Sequence, residues 1–103
     1  MVKIRDPRQK FVLENVRTMN NFYDQIVMHL KLADWFGRNL DALNDVLRGG
    51  CGDVDPQHTT FVWVGSAASK AALGESKFEA IVEIFGDHSE GGEEANDIIL
   101  VLE

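Results

Sequence analysis

Residues 59–65 (TTFVWVG) constrain the fold of this chain more than any other stretch. β-Branched and aromatic residues follow one another there in a continuous run, which is typical of a strand buried on both faces. Residues 10–14 (KFVLE) indicate a shorter strand, and residues 97–102 (DIILVL) predict a third, which we also expect to be buried. Because helical segments separate the three strands, the sequence predicts a parallel sheet with right-handed crossovers.

Four segments between these strands have the spacing of helices. In the first, apolar residues recur every three or four positions from residue 19 to residue 30, after a cap at Thr18 or Asn20. A short helix is predicted over residues 40–47 and another over residues 66–73. Ser76 is the expected cap of the fourth, whose inward residues would be Phe78, Ile81, Val82 and Phe85. The predicted fold class is α/β, a small three-stranded parallel sheet flanked by about four helices.

A chain of 103 residues is of the length that folds around a single hydrophobic core. We expect residues 1–9 to form a loose leader and residues 10–103 to form a single domain. The basic N-terminal residues are not followed by the apolar segment of a cleaved signal peptide. No run approaches the ~20 apolar residues of a membrane span. Cys51 is the only cysteine, so no internal disulfide is possible. These features suit a reducing compartment, and we expect a cytoplasmic protein.

The net charge of −7 is unevenly distributed along the chain. The first ten residues carry +3, which leaves −10 for the remainder. A domain this acidic repels phosphate backbones, so we expect no direct binding to nucleic acid. It attracts basic proteins instead, although plain solubility explains the charge equally well.

The helix predicted over residues 40–47 has two different faces. On a helical wheel, Asp41 and Asp45 lie about 40° apart, and Asn44 and Arg48 fall near the same arc. The apolar residues of this helix point to the opposite side; they are Leu40, Leu43, Val46 and Leu47. Asn39 is the expected N-cap, and the helix should end at Gly49. A solvated amphipathic helix would show this pattern too, so the pattern by itself does not establish a site.

Residues 35–47 (WFGRNLDALNDVL) closely resemble the signature of the barstar family, which reads aromatic-aromatic-Gly-x-Asn-Leu-Asp-Ala-Leu-x-Asp-x-Leu. Outside this string the resemblance lies in the order and spacing of elements over about residues 10 to 102. The family has a small three-stranded parallel sheet flanked by helices, in agreement with the order read from the residues. The resemblance implies a ribonuclease inhibitor whose second helix and preceding loop plug the enzyme's active site.

The resemblance also assigns roles to individual residues. It implies that Asp45 occupies the phosphate position among the Arg, Lys and His side chains of the enzyme, with Asp41 as its companion. Trp35 matches an aromatic residue that packs on a catalytic histidine. Asn44 stands where the family often has Trp, and Arg48 could neutralise part of the charge of Asp45. The full set of expected partner-binding residues is Trp35, Asn39, Leu40, Asp41, Asn44, Asp45, Gly49 and Asp87.

Two other functions remain open for this helix. Asp41 and Asp45 could hold Mg²⁺ or act as an acid–base pair in a small carboxylate-dependent enzyme. Nothing else in the sequence supports this, because residues 49–52 (GGCG) lack the Lys and Ser/Thr of a phosphate-binding loop. Alternatively, the chain could be an acidic adaptor for another basic protein.

The expected partner is a basic ribonuclease of the secreted or toxin type. We expect a monomer that binds it 1:1, with no catalytic residue, metal, cofactor or membrane contact of its own. The three histidines are scattered and suggest no ligand set; they are His29, His58 and His88. An acidic stripe at four-residue spacing, formed by Glu75, Glu79, Glu83 and Asp87, is interpreted as a solvated helix face.

Overall fold

The computed structural model describes residues 9–33, 36–49, 52–89 and 97–103. Strands and helices alternate along the chain in the predicted order. They are β1 (Gln9–Leu13), α1 (Met19–Leu30), α2 (Leu40–Arg48), β2 (Thr59–Trp63), α3 (Ser66–Leu73), α4 (Glu75–Asp87) and β3 (Ile98–Leu102). The three strands form one parallel sheet, which confirms the predicted α/β fold class. In the described part of the chain, no helix is long and apolar enough to cross a membrane.

The sheet has its strands in the order β1-β2-β3, with Phe11, Phe61 and Leu100 in register. Right-handed crossovers, the hand of nearly all such connections, carry the chain in one direction across this sheet and place all four helices on one face. Burial agrees with this arrangement, since Phe61 and Ile98 on the helix side are fully buried while Val12 and Ile99 on the other side are exposed.

The prediction that the last strand is buried was wrong. Ile99 is 40% exposed and Leu102 is 46% exposed. β3 lies at the edge of the sheet, and Ile99 points to the face without helices. An apolar run marks a strand, but the number of layers around that strand depends on where the sheet places it.

The core is centred on Trp63 at the end of β2. Its ring stacks on Phe22 of α1 at 5.6 Å between centroids and meets Phe78 of α4 at 5.0 Å. Its indole Nε1 donates a hydrogen bond of 3.0 Å to the Ser69 hydroxyl of α3. One buried aromatic residue therefore holds three helices against the central strand.

The helix caps were predicted with mixed success. Thr18 rather than Asn20 caps α1, because its hydroxyl accepts a hydrogen bond of 3.0 Å from the Asn21 amide. Ser76 does not cap α4, which already begins at Glu75. Gly74, with φ of 95°, forms the whole corner between α3 and α4, so Ser76 lies inside the helix.

Candidate partner-binding site

Helix α2 is started by Asn39, as the sequence predicted. The side-chain oxygen Oδ1 of Asn39 accepts a hydrogen bond of 2.8 Å from the Ala42 amide. The backbone carbonyl of Asn39 accepts one of 2.9 Å from the Leu43 amide. Asn39 also donates from Nδ2 to the Gly37 carbonyl at 3.3 Å. This residue therefore fixes where α2 begins and how the preceding loop enters it.

The two faces of α2 are separated as the helical wheel predicted. Leu43, Val46 and Leu47 are buried, whereas Asp41 and Asp45 are exposed. Leu40 and Asn44 are half-buried at the boundary between the two faces. The helix ends at Gly49, whose φ of 102° is a conformation that few other residues adopt. A short helix, capped at both ends and buried on one face, thus presents two carboxylates to solvent.

Arg48 shares the outer face with these carboxylates. Its Nη1 lies 3.1 Å from Asp45 Oδ1, one helical turn back along the chain. The Arg48 side chain is 50% exposed and that of Asp45 is 64% exposed, so water screens the pair. The sequence-based expectation that Arg48 offsets part of the charge of Asp45 is supported by this geometry.

Asn44 turns its carbonyl oxygen toward the interior of the protein. His88 donates from Nε2 to Asn44 Oδ1 at 2.7 Å, and the His88 side chain is fully buried. The His88 carbonyl in turn accepts a hydrogen bond of 3.1 Å from the amide of Ile98, the first residue of β3. Sequence reasoning missed this link; the available signal was Asn44 itself, an amide at a position where the resemblance suggests Trp. The indole of Trp has only an N–H donor and could not accept this hydrogen bond.

The chain segments on either side of α2 are fastened to each other. Leu32 and Gly52 form an antiparallel bridge. The amides of Asp53 and Val54 donate hydrogen bonds of 3.3 Å each to the carbonyls of Lys31 and Leu30. A Cβ atom on Gly52 would collide with the Leu30 carbonyl oxygen, so this approach requires glycine. We call this bridge and its two hydrogen bonds the base of α2.

A second tie holds the loop just before α2. Arg38 donates from Nη2 to Asp24 Oδ1 at 2.8 Å and to the Asn20 carbonyl at 3.1 Å. Its guanidinium also lies over the Tyr23 ring, 5.8 Å from the centroid. Burial raises the pKa of the Tyr23 phenol above its ordinary value, and the charge of Arg38 acts in the opposite direction. A shallow groove beside this tie reaches Asp41 at the start of α2.

The expected partner-binding residues are only partly brought together by the fold. The structure places six on α2 or at its two ends, namely Asn39, Leu40, Asp41, Asn44, Asp45 and Gly49. Asp87 ends α4 and precedes His88, whose ring reaches Asn44, so Asp87 lies on the segment that borders α2. Trp35 and Cys51 lie outside the described residues. Among the residues described, no three His, Cys, Asp or Glu side chains are grouped to hold a metal ion.

Comparison with known protein families gives a match over most of the chain. A family model described as Barstar (barnase inhibitor) matches residues 9–103, nearly the whole chain. The match includes all seven helices and strands, and it begins at the first residue of β1. No curated protein sequence matches the chain.

Proposed function

The chain belongs to the barstar family, described as barnase inhibitors, and from this premise we propose that it blocks a ribonuclease with the outer face of α2. The observation that carries the proposal is the exposed pair Asp41 and Asp45 on a helix whose opposite face is buried in the core. Three sets of contacts fix the position of the helix that carries this pair: the base of α2, the Asn39 cap and the Asn44–His88 hydrogen bond.

The mechanism follows from what a ribonuclease must provide for its substrate. Its active site concentrates cationic side chains to bind a phosphate, and a carboxylate held at the phosphate position competes directly with RNA. Asp45 takes that position, and Asp41 contacts neighbouring basic groups. Charge-assisted hydrogen bonds between carboxylates and guanidinium groups are short and strong, so they slow dissociation. Little conformational freedom is lost on binding, because α2 is already fixed in the free protein.

The remaining residues of the expected set surround this centre. Trp35 packs on a catalytic histidine of the enzyme, and Leu40 and Gly49 extend the contact at the two ends of α2. Asn39 and Asn44 position the helix as well as border the interface, and Asp87 contributes charge at its rim. We infer a monomer acting in the cytoplasm as a 1:1 inhibitor without catalytic activity, and a target of the basic secreted or toxin type.

The proposal is tested by inhibition of barnase and of a panel of basic microbial ribonucleases. Asp45→Ala should weaken binding to the inhibited enzyme by ~2–5 kcal/mol, because the cations of the enzyme lose their partner in a buried contact. Asp41→Ala should weaken it by a smaller amount. Glu79→Ala is the matched control, since it removes one exposed carboxylate from α4, and at ordinary ionic strength it should change the inhibition constant less than about twofold.

Thermal unfolding of the same variants separates binding from folding. All three should unfold within about 0.5 kcal/mol of the wild type, as is usual for exposed positions. If Asp45→Ala inhibited as strongly as the wild type, α2 would not be the inhibitory element. If the wild type inhibited none of these enzymes, the acidic-adaptor function would be favoured instead.

A further inference from the structure

The shallow groove beside the Arg38 tie connects the start of helix α1 with the start of helix α2. Its half-buried apolar residues are Met19, which begins α1, and Leu40, which begins α2. Asp41 lines the same groove and is exposed. The groove is too open to enclose a small molecule in the way that a ligand pocket does. It suits a single extended side chain of a protein that also covers α2.

The polar residues of this groove differ in how far their side chains are already engaged. Arg38 is bound to the Asp24 carboxylate and to the Asn20 carbonyl, and the Asn39 side chain caps α2. In the part of the chain that the structure describes, the Asp41 carboxylate has no hydrogen bond or ion pair. Asp41 also lies in the first turn of α2, where the helix dipole favours its ionised form. It therefore offers a full negative charge at one end of the groove.

These charges determine how a side chain would lie in the groove. The guanidinium of Arg38 already stands over the Tyr23 ring, 5.8 Å from its centroid. A cationic head is repelled by Arg38 and attracted by Asp41. Lysine and arginine lay an aliphatic stem along apolar surface while the charged head stays outside it. Met19 and Leu40 provide the apolar surface for such a stem.

We propose that a lysine or arginine side chain of the ribonuclease lies in this groove, with its stem against Met19 and Leu40 and its head at Asp41. This inference rests on the proposed function and adds helix α1 to the inhibitory surface. Met19 is then a specificity-determining residue, because a target without a long cationic side chain at this place loses the contact of the stem. Methionine suits this role, since its flexible thioether adapts to the shape of a neighbouring group.

The test compares Met19→Ala with Met28→Ala, the same substitution on the opposite side of α1. The two positions lie about 180° apart around a helix, and Met28 is 61% exposed. Inhibition constants are measured on the ribonuclease of the barnase panel that the wild type inhibits most strongly. Met19→Ala should raise the constant at least about fivefold through faster dissociation, because the stem loses apolar contact. Met28→Ala, and Met19→Leu with its apolar wall intact, should each change it less than about twofold.

Coupling to Asp41 distinguishes a contact of Met19 from a merely structural role. If one side chain of the enzyme touches both residues, the effects of their substitutions are not additive. In the Asp41→Ala background, Met19→Ala should therefore raise the inhibition constant less than about twofold. Residues that border the active site of the enzyme are then replaced by alanine one at a time. The replacement that removes the difference between wild type and Met19→Ala should be that of a lysine or arginine.

Three results would overturn the inference. The first is additivity of Met19→Ala and Asp41→Ala, and the second is a coupled enzyme residue that is not cationic. The third is equal inhibition by Met19→Ala and the wild type while Asp45→Ala loses inhibition, a result that leaves the proposed function intact. Loss of the proposed function appears differently, as full inhibition by Asp45→Ala.

Discussion

Helices α2 and α4 are both acidic on the outside, but the structure holds the two ends of α2 more closely than the start of α4. α4 carries four carboxylates, Glu75, Glu79, Glu83 and Asp87, against two on α2. It begins at Gly74 without a side-chain cap, and the corner between α3 and α4 is a single residue. α2 begins at a capping asparagine, ends at a left-handed glycine and stands on a bridged base.

This difference is the reason why we propose α2, and not the more acidic α4, as the inhibitory helix. Glu79 and Glu83 are exposed on a helix whose other residues Phe78, Ile81 and Phe85 build the core, so α4 is primarily a packing element. α2 also packs, but His88 holds it by the hydrogen bond to Asn44, and two backbone hydrogen bonds join the chain segments that precede and follow it. A carboxylate pair on a helix whose position is restricted loses little conformational entropy when a partner binds, which favours the proposed role of α2.

Of the substitutions that compare α2 with α4, Gly52→Ala in the base of α2 should have the largest effect on stability. The new Cβ collides with the Leu30 carbonyl oxygen, a backbone atom that cannot move aside without breaking the bridge to Leu32. We expect a loss of about 3 kcal/mol in the free energy of unfolding, the upper end for atoms inserted into a packed site. Denaturant unfolding measures this free energy, and inhibition of the target enzyme should weaken as well.

Gly86→Ala in α4 is the matched control for this substitution. No atom lies within 4 Å of the Cβ position at Gly86, and the residue is part of a helix. Alanine should therefore stabilise the protein slightly, by up to about 1 kcal/mol. Equal effects of the two glycine substitutions would show that the base of α2 is no more constrained than the end of α4.

A smaller loss is expected for Asn44→Ala, which removes the hydrogen-bond acceptor of His88 Nε2. Leaving a buried donor without this acceptor should lower the free energy of unfolding by about 2 kcal/mol. Asn44→Asp keeps an acceptor oxygen and should recover part of the loss. Ser76→Ala, a polar-to-alanine change on α4, should stay within about 0.5 kcal/mol of the wild type, because Ser76 is exposed and does not cap its helix. A neutral Asn44→Ala would mean that the link from α4 to α2 contributes nothing to stability.

The parts of the structure that local patterns control were predictable from the sequence. Strand β2 follows from its β-branched and aromatic run, and Asn39 and Thr18 are caps that each act on a residue three positions away. The predicted α/β fold class was correct because the periodicities of seven separate segments agree with one another.

Contacts between distant segments could not be read in the same way. His88 reaches Asn44 across 44 positions, and Gly52 approaches Leu32 only after the chain has passed through α2. No short window contains both partners of either contact. The exposure of Ile99 was missed for a related reason, because it depends on β3 lying at the edge of the sheet.

The smallest effect concerns the rate of association and separates two uses of negative charge. The whole acidic surface should steer a basic enzyme toward the protein, so we expect Glu79 and Glu83 on α4 to contribute to the association rate without touching the partner. Replacing Glu79 and Glu83 together by glutamine should lower the association rate severalfold at low ionic strength and leave the dissociation rate unchanged. At about 1 M salt the Debye length is roughly 3 Å, and the difference from the wild type should disappear.

Asp45→Ala should behave in the opposite way in the same stopped-flow and dissociation measurements. Its contact is desolvated in the complex, so salt screens it poorly and most of the loss should appear in the dissociation rate. The two exposed carboxylates of α4 would then act through the long-range field, and Asp45 through contact. If the Glu79/Glu83 variant dissociated faster than the wild type, these two residues would contact the partner as well, and the distinction between contact through α2 and long-range steering by Glu79 and Glu83 would have to be abandoned.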